Sequence, residues 1–165
     1  MRFDAKFDRR ASPDYDLVQM AIKVLERKEK DQPFCIFLPL VQPHPPYVAP
    51  QGFDTMHRPS DLPPLAPPGL PRKPVYYQAV RKAYPLDKAT DADLRAVRAT
   101  DYGQVSYADW LLGELMEALE RTGHANDTVL IAGSDHGDVP RTRQSRGEAH
   151  PFCAQPCSTT QRGRR

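Results

Sequence analysis

Long apolar stretches are the first thing missing from this 165-residue sequence. No run comes near the ~20 apolar residues that a membrane span needs, so no transmembrane helix is expected. An excess of one charge is missing too. The 23 basic and 21 acidic residues leave a net charge of +2, which argues against a dedicated nucleic-acid binder or a polybasic membrane anchor. Met1 is followed by Arg2, Asp4, Lys6, Asp8, Arg9 and Arg10, with no apolar core for a secretory signal. Taken as a complete chain this reads as cytosolic; taken as an internal piece, its compartment is not written in it. Cysteine is scarce. Cys35 lies in an apolar run and is expected to be a buried free thiol, and Cys153 and Cys157 are too few to argue a disulfide framework or a metal site.

Against these absences stands a clear order of elements. Ser12-Pro13-Asp14 reads as a helix start: Ser12 can cap, Pro13 suits the first turn, and Asp14 and Asp16 favour the positive end of the dipole. Val18, Ala21, Ile22 and Leu25 then recur at i, i+3, i+4, i+7. Charged residues from Glu26 to Asp31, followed by Pro33, end the helix. Phe34-Cys35-Ile36-Phe37-Leu38 is a short continuous apolar run, expected to be a strand buried on both faces. Residues 43–74 hold eleven of the eighteen prolines and form a long loop, either functional or a surface meander of polyproline character. A second helix is expected from about Thr90 to Arg121, with Val105, Ala108, Leu112, Leu115 and Leu119 on its apolar face and Gly123 as its stop. Asn126-Asp127 makes a turn into a second buried strand, Thr128–Ala132, which ends in Gly133-Ser134-Asp135-His136-Gly137.

Helix, buried strand, loop, helix, buried strand is the pattern of an α/β fold with a mostly parallel, mixed sheet. Ligand sites in such sheets lie beyond the C-terminal ends of the strands. One such end carries Gln42-Pro43-His44-Pro45-Pro46-Tyr47; the other carries Ser134-Asp135-His136-Gly137-Asp138. An Asp carboxylate can ligate a hard cation, and a His can bind a metal or donate to an anionic oxygen. Taken alone, each turn reads first as an ordinary polar loop.

Together the two stretches resemble a family. Phe34 to Pro50 is similar to the segment of type I sulfatases in which an apolar strand leads to a His-Pro-Pro-Tyr-like turn. Tyr102 to Asp138 resembles a second sulfatase segment more closely, through Tyr102, Asp109, Gly113, Leu115, Leu119, Gly123, Asn126-Asp127-Thr128-Val129 and Ser134-Asp135-His136-Gly137. The resemblance covers roughly Ser12 to Asp138 and matches the proline loop poorly. It implies a partial three-layer sandwich of the alkaline-phosphatase-like superfamily, with residues 1–138 as part of a sulfatase catalytic domain. It also implies sulfate-ester hydrolysis on a sulfated small molecule or glycan. In that family a formylglycine made from a Cys/Ser-x-Pro-x-Arg motif supplies the nucleophile, assisted by Ca²⁺ or another divalent cation. By position, Asp135 and His136 look like metal ligands, and His44 looks like the catalytic, substrate-binding histidine at the sulfate or its leaving oxygen.

The sequence also departs from the family. No cysteine or serine is followed by proline at +2 and arginine at +4, so the formylglycine precursor is absent from these residues. The early aspartate pair of the family is missing, and two ligands fall short of the ~6–8 that Ca²⁺ takes. Residues 139–165 read as an irregular basic tail, with an out-of-frame origin as one explanation. The expectation is therefore a sulfatase segment that is inactive alone. Its few strands would leave sheet faces exposed, and its stability would be marginal. Two other readings stay open: a phosphonate or phosphate ester hydrolase of the same superfamily, and a non-catalytic partner- or sulfate-binding protein.

Overall fold

The computed structural model describes residues 7–29, 32–64, 89–134 and 159–162. Helix α1 spans Pro13–Arg27 and helix α2 Asp91–Arg121; strand β1 is Val129–Ala132 and strand β2 Thr159–Arg162. Both helices start where side-chain chemistry tells them to. The Ser12 hydroxyl accepts the Tyr15 N–H at 3.0 Å, with Pro13 in the first turn. Thr90 and Asp93 form a reciprocal capping box, Asp93 N–H to Thr90 Oγ1 at 3.1 Å and Thr90 N–H to Asp93 Oδ2 at 2.8 Å. The end of α2 is a paired stop. His124 N–H reaches the Leu119 carbonyl at 2.9 Å and Gly123 N–H the Glu120 carbonyl at 3.0 Å. Gly123 sits at φ 76°, a conformation that favours glycine there.

The two helices pack side by side as one layer. Val18, Ala21, Ile22 and Leu25 of α1 meet Tyr107, Leu111, Leu115, Ala118 and Leu119 of α2, joined by Ala49 and Phe53 from the loop. The buried face of α2 is only partly the one that hydropathy marks: Leu115 and Leu119 are buried as expected, but near Val105 the face is turned. Val105 is 49% exposed, whereas Gln104, Tyr107 and Leu111 are wholly buried. The polar Asp101 and Gln104 occupy the inward face about three and two turns before Leu111, and hydropathy alone discounts them. The first part of the proline loop is likewise no free meander. Ala49, Pro50, Phe53 and Leu62 are buried. Arg95 donates to the carbonyls of Pro59 and Leu62 at 3.1 and 3.3 Å, and Arg98 to that of Pro63 at 3.1 Å. Residues 65–88 lie outside the described residues.

Over this helical layer run two extended segments. In residues 34–41, burial alternates strictly: Phe34, Ile36, Leu38 and Leu40 pack against the core, while Cys35, Phe37, Pro39 and Val41 are exposed. Strand β1 repeats the pattern, with Leu130 packed against the core and Ile131 71% exposed. The expectation of two-faced burial is thus corrected, and with it the buried thiol, because Cys35 lies on the exposed side. Burial on both faces needs layers above and below the sheet, and among the described residues only the helical layer is present. Each large apolar side chain left outward forgoes roughly 1.5–3 kcal/mol of burial. Residues 34–38 are extended but carry no strand ladder. The pairing among the described residues is β1 with β2, antiparallel, Val129 opposite Arg162 and Ala132 opposite Thr159. Strand β2 falls inside the segment read as an irregular tail; residues 135–158 lie outside the described residues.

Tyr107 ties the N-terminal residues to α2. Its hydroxyl donates to the Arg9 carbonyl and shares a short hydrogen bond with Ser12 Oγ. A carbonyl only accepts, so Ser12 must donate to Tyr107 while it accepts from the Tyr15 N–H. Burial raises the Tyr107 pKa above its ordinary value near 10. The Ser12 hydrogen bond opposes the rise and the nearby Asp14, Tyr15 and Asp16 add to it. The fold therefore binds the phenolic proton more tightly than the unfolded chain does. That contribution is complete below pH ~10 and is lost as pH climbs through the raised pKa. Tyr107→Phe should cost about 1–2 kcal/mol at pH 8 and flatten the fall of stability above pH 10, measurable by urea unfolding across pH 8–11.

Candidate active site

His44 stands where the extended segment ends. Its turn is rich in proline, so half of positions 41–46 have no N–H to spend on a ladder. The donors that remain are all engaged. His44 N–H bonds the Val41 carbonyl at 2.8 Å. Val41 N–H meets Asp14 Oδ1 and Oδ2 at 3.0 and 3.1 Å, and Gln42 N–H meets Asp14 Oδ2 at 2.8 Å. Asp14 belongs to the first turn of α1 and is only 2% exposed. A buried carboxylate is tolerable there because backbone donors and the positive end of the helix surround it.

From the other helix, Gln104 Nε2 donates to the carbonyls of His44 at 3.4 Å and Pro46 at 3.2 Å. Gln104 is fully buried, and its Oε1 has no partner among the described residues. The His44 ring itself is exposed. Its Nδ1 lies 2.5 Å from the Pro45 carbonyl oxygen. Because that oxygen can only accept, Nδ1 carries a proton, and Nε2 is the nitrogen left for chemistry. When the ring is neutral Nε2 accepts; when it is protonated Nε2–H can donate to an anionic or departing oxygen.

Asp135 and His136, the expected metal ligands, lie outside the described residues, as does any approach of that pair to His44. Among the described residues, no group of three or more His, Cys, Asp or Glu side chains is placed to hold a metal ion. A shallow groove of about 350 Å³ opens beside Val24, Arg27, Lys28, Gln32, Pro33 and Phe34, at the start of the extended segment rather than at His44.

The sulfatase family model matches residues 9–161. The chain belongs to the sulfatase family. Among curated relatives, this sulfatase chain is 24% identical over 143 residues to an arylsulfatase of Clostridium perfringens, covering 81% of this chain and 28% of that protein. It is 28% identical over 130 residues to a choline-sulfatase of Rhizobium meliloti, covering 74% and 25%. It is 30% identical over 142 residues to human iduronate 2-sulfatase, covering 76% and 26%. The sulfatase chain therefore spans about a quarter of the length of these relatives. Its fold matches two solved phosphonate monoester hydrolases. One, from Agrobacterium radiobacter, has a TM-score of 0.72 at 23% identity over 93% of this chain and 33% of that one. The other, from Silicibacter pomeroyi, has a TM-score of 0.73 at 25% identity over 96% and 34%. The likeness supports the alkaline-phosphatase-like superfamily expected from the sequence; the mostly parallel sheet of that expectation is not seen among the described residues, whose one strand pair is antiparallel.

Two residues that hold the His44 turn from the helices belong to no motif of the sequence: Asp14 reads there as a dipole residue, and Gln104 carries no expected role. A signal for both existed. Asp14 lies at i−4 from Val18, in line with the apolar stripe of α1, and Gln104 at i−3 from Tyr107 and i−7 from Leu111. A polar side chain inside an apolar stripe must have a buried partner.

Proposed function

We propose that this chain is part of the catalytic domain of a sulfuric ester hydrolase, and that His44 is the group that meets the sulfate or its leaving oxygen. The observation that carries this is the state of the imidazole. It is exposed on a fixed turn, with Nδ1 held by the Pro45 carbonyl and Nε2 left to accept in the neutral ring and to donate in the protonated one. Hydrolysis breaks the sulfur–oxygen bond to the alcohol or phenol, and the departing oxygen needs a proton. Protonated His44 can supply it from Nε2 and return to the neutral ring.

A formylglycine hydrate would supply the attacking oxygen, and a divalent cation, Ca²⁺ or another, would screen the charge on sulfate. Asp135 and His136 are proposed as the part of the cation site this sequence contains. Two donors do not make a calcium site, and the described residues add no cluster to them. The remaining ligands and the nucleophile are assigned to residues beyond this sequence. The substrate would be a sulfated small molecule or glycan. The likeness to phosphonate monoester hydrolases favours a second reading, hydrolysis of a phosphonate or phosphate ester on the same scaffold.

The test is turnover of 4-nitrophenyl sulfate and 4-nitrophenyl phenylphosphonate by the 165-residue chain and by a longer chain that includes an upstream Cys/Ser-x-Pro-x-Arg segment. Turnover of the sulfate is expected in the longer chain alone. A preference for the phosphonate selects the second reading, and turnover of neither substrate by either chain overturns both in favour of a non-catalytic protein.

A further inference from the structure

We propose that Asp14 and Gln104 are positioning residues for His44, a pair of side chains that fixes the 41–46 turn through its backbone. The inference rests on the reading of His44 as the group at the sulfate ester.

The turn cannot hold itself. Among residues 41–46, Pro43, Pro45 and Pro46 have no N–H, which leaves three backbone donors. One closes on the Val41 carbonyl, and the other two are taken by the Asp14 carboxylate. The acceptors are divided in the same way. Gln104 donates to the carbonyls of His44 and Pro46, while the Pro45 carbonyl is left for the His44 ring. Asp14 therefore gathers the donors that precede the ring, and Gln104 the acceptors on either side of Pro45. Between them the backbone around His44 is held by two helices that are themselves packed together.

Packing alone gives no reason for these residues. Each lies in an apolar stripe where a leucine or methionine would continue the core. Asp14 buries a charge there, and Gln104 keeps an amide oxygen without a partner among the described residues. Buried polar groups of this kind weaken a fold relative to apolar residues of similar volume. Their presence is accounted for by what they hold: a ring whose Nδ1 stays on Pro45 and whose Nε2 stays available. Catalytic groups lose efficiency when displaced by small distances, so the backbone under His44 is worth holding at this cost.

The experiment uses the ¹⁵N,¹³C-labelled 165-residue chain and NMR. In Asp14→Asn, the Val41 and Gln42 amide resonances should move and their hydrogen exchange should accelerate about ten- to hundredfold, as expected for the loss of bonds to a charged acceptor. The His44 ring resonances should shift while the methyl signals of Leu111 and Leu115 stay in place. Gln104→Met should shift the His44 ring and leave the Val41 and Gln42 amides protected, and it serves alone if Asp14→Asn does not fold. Unmoved His44 ring signals in the folded variants would overturn the proposal, as would shifts spread through the core. Titration with inorganic sulfate separates this from the parent reading. Should sulfate leave the His44 ring unmoved in the unaltered chain while the variants still displace it, His44 is not the sulfate contact and only the clamp stands.

Discussion

His44→Ala is expected to lower kcat for an aryl sulfate by about 10²–10⁴-fold in a chain that carries the nucleophile segment, the range typical of removing a general acid. The size of the loss should depend on the leaving group. A nitrophenolate departs with little help, so the defect should be smallest there. An alkyl or sugar oxygen, far more basic, needs the proton most, and the defect should be largest. A plot of log kcat against leaving-group pKa should therefore be steeper for His44→Ala than for the unaltered enzyme. Parallel lines would mean that His44 binds the sulfate without donating a proton. The prediction follows from the hydrogen bond at Nδ1. The Pro45 carbonyl occupies the one nitrogen, so in the protonated ring the other carries the transferable proton.

The second large effect concerns two glycines on one helix. At Gly103 an added Cβ would stand 2.4 Å from the Phe53 carbonyl oxygen and 3.2 Å from the Ala49 Cβ. The obstacle is backbone, which cannot swing away as a side-chain tip could, so α2 and residues 49–53 must separate. Gly103→Ala should destabilise the chain by about 1–3 kcal/mol, even after the intrinsic helix preference of alanine is counted. At Gly113 nothing lies within 4 Å of the same added atom, and Gly113→Ala should stabilise by about 0.5–1 kcal/mol. Urea unfolding of the two variants side by side checks both signs. Equal effects would show that the close approach at Phe53 does not exist in solution. Gly103→Ala should also disturb His44, because its neighbour Gln104 holds that turn.

Much of this was written locally. Ser12-Pro13 and Thr90 with Asp93 announce both helix starts because a cap is a contact between near neighbours, and Gly123 announces the stop for the same reason. The two helices and the strand at 129–132 followed in the expected order, and the superfamily with them; the strand expected at 34–38 did not, because those residues carry no ladder. What was not legible depends on distant partners. Phe37 and Ile131 look like core residues in any sequence, and only the layers around them decide that they face outward. The inward face of α2 is legible at Leu115 and Leu119 but not nearer Val105, because Gln104 is buried for its hydrogen bonds, which no hydropathy pattern records. The same blindness hid Asp14, whose partners are 27 and 28 residues away.

Helix α2 has a consequence of its own. At 31 residues it is about 46 Å long. Along that single rod sit Arg95 and Arg98, which grip the proline loop, then Gln104 under the histidine turn, then Tyr107 on the N-terminal residues, then Leu119, whose carbonyl receives His124 just before β1. The rod works as a shared ruler. One residue inserted near its middle would rotate everything beyond by about 100° and put the loop and the strand out of register with each other, though no contact of either had been touched. Length and phase of this helix are thus under the same constraint as the histidine, and insertions in the chain are tolerable only outside it.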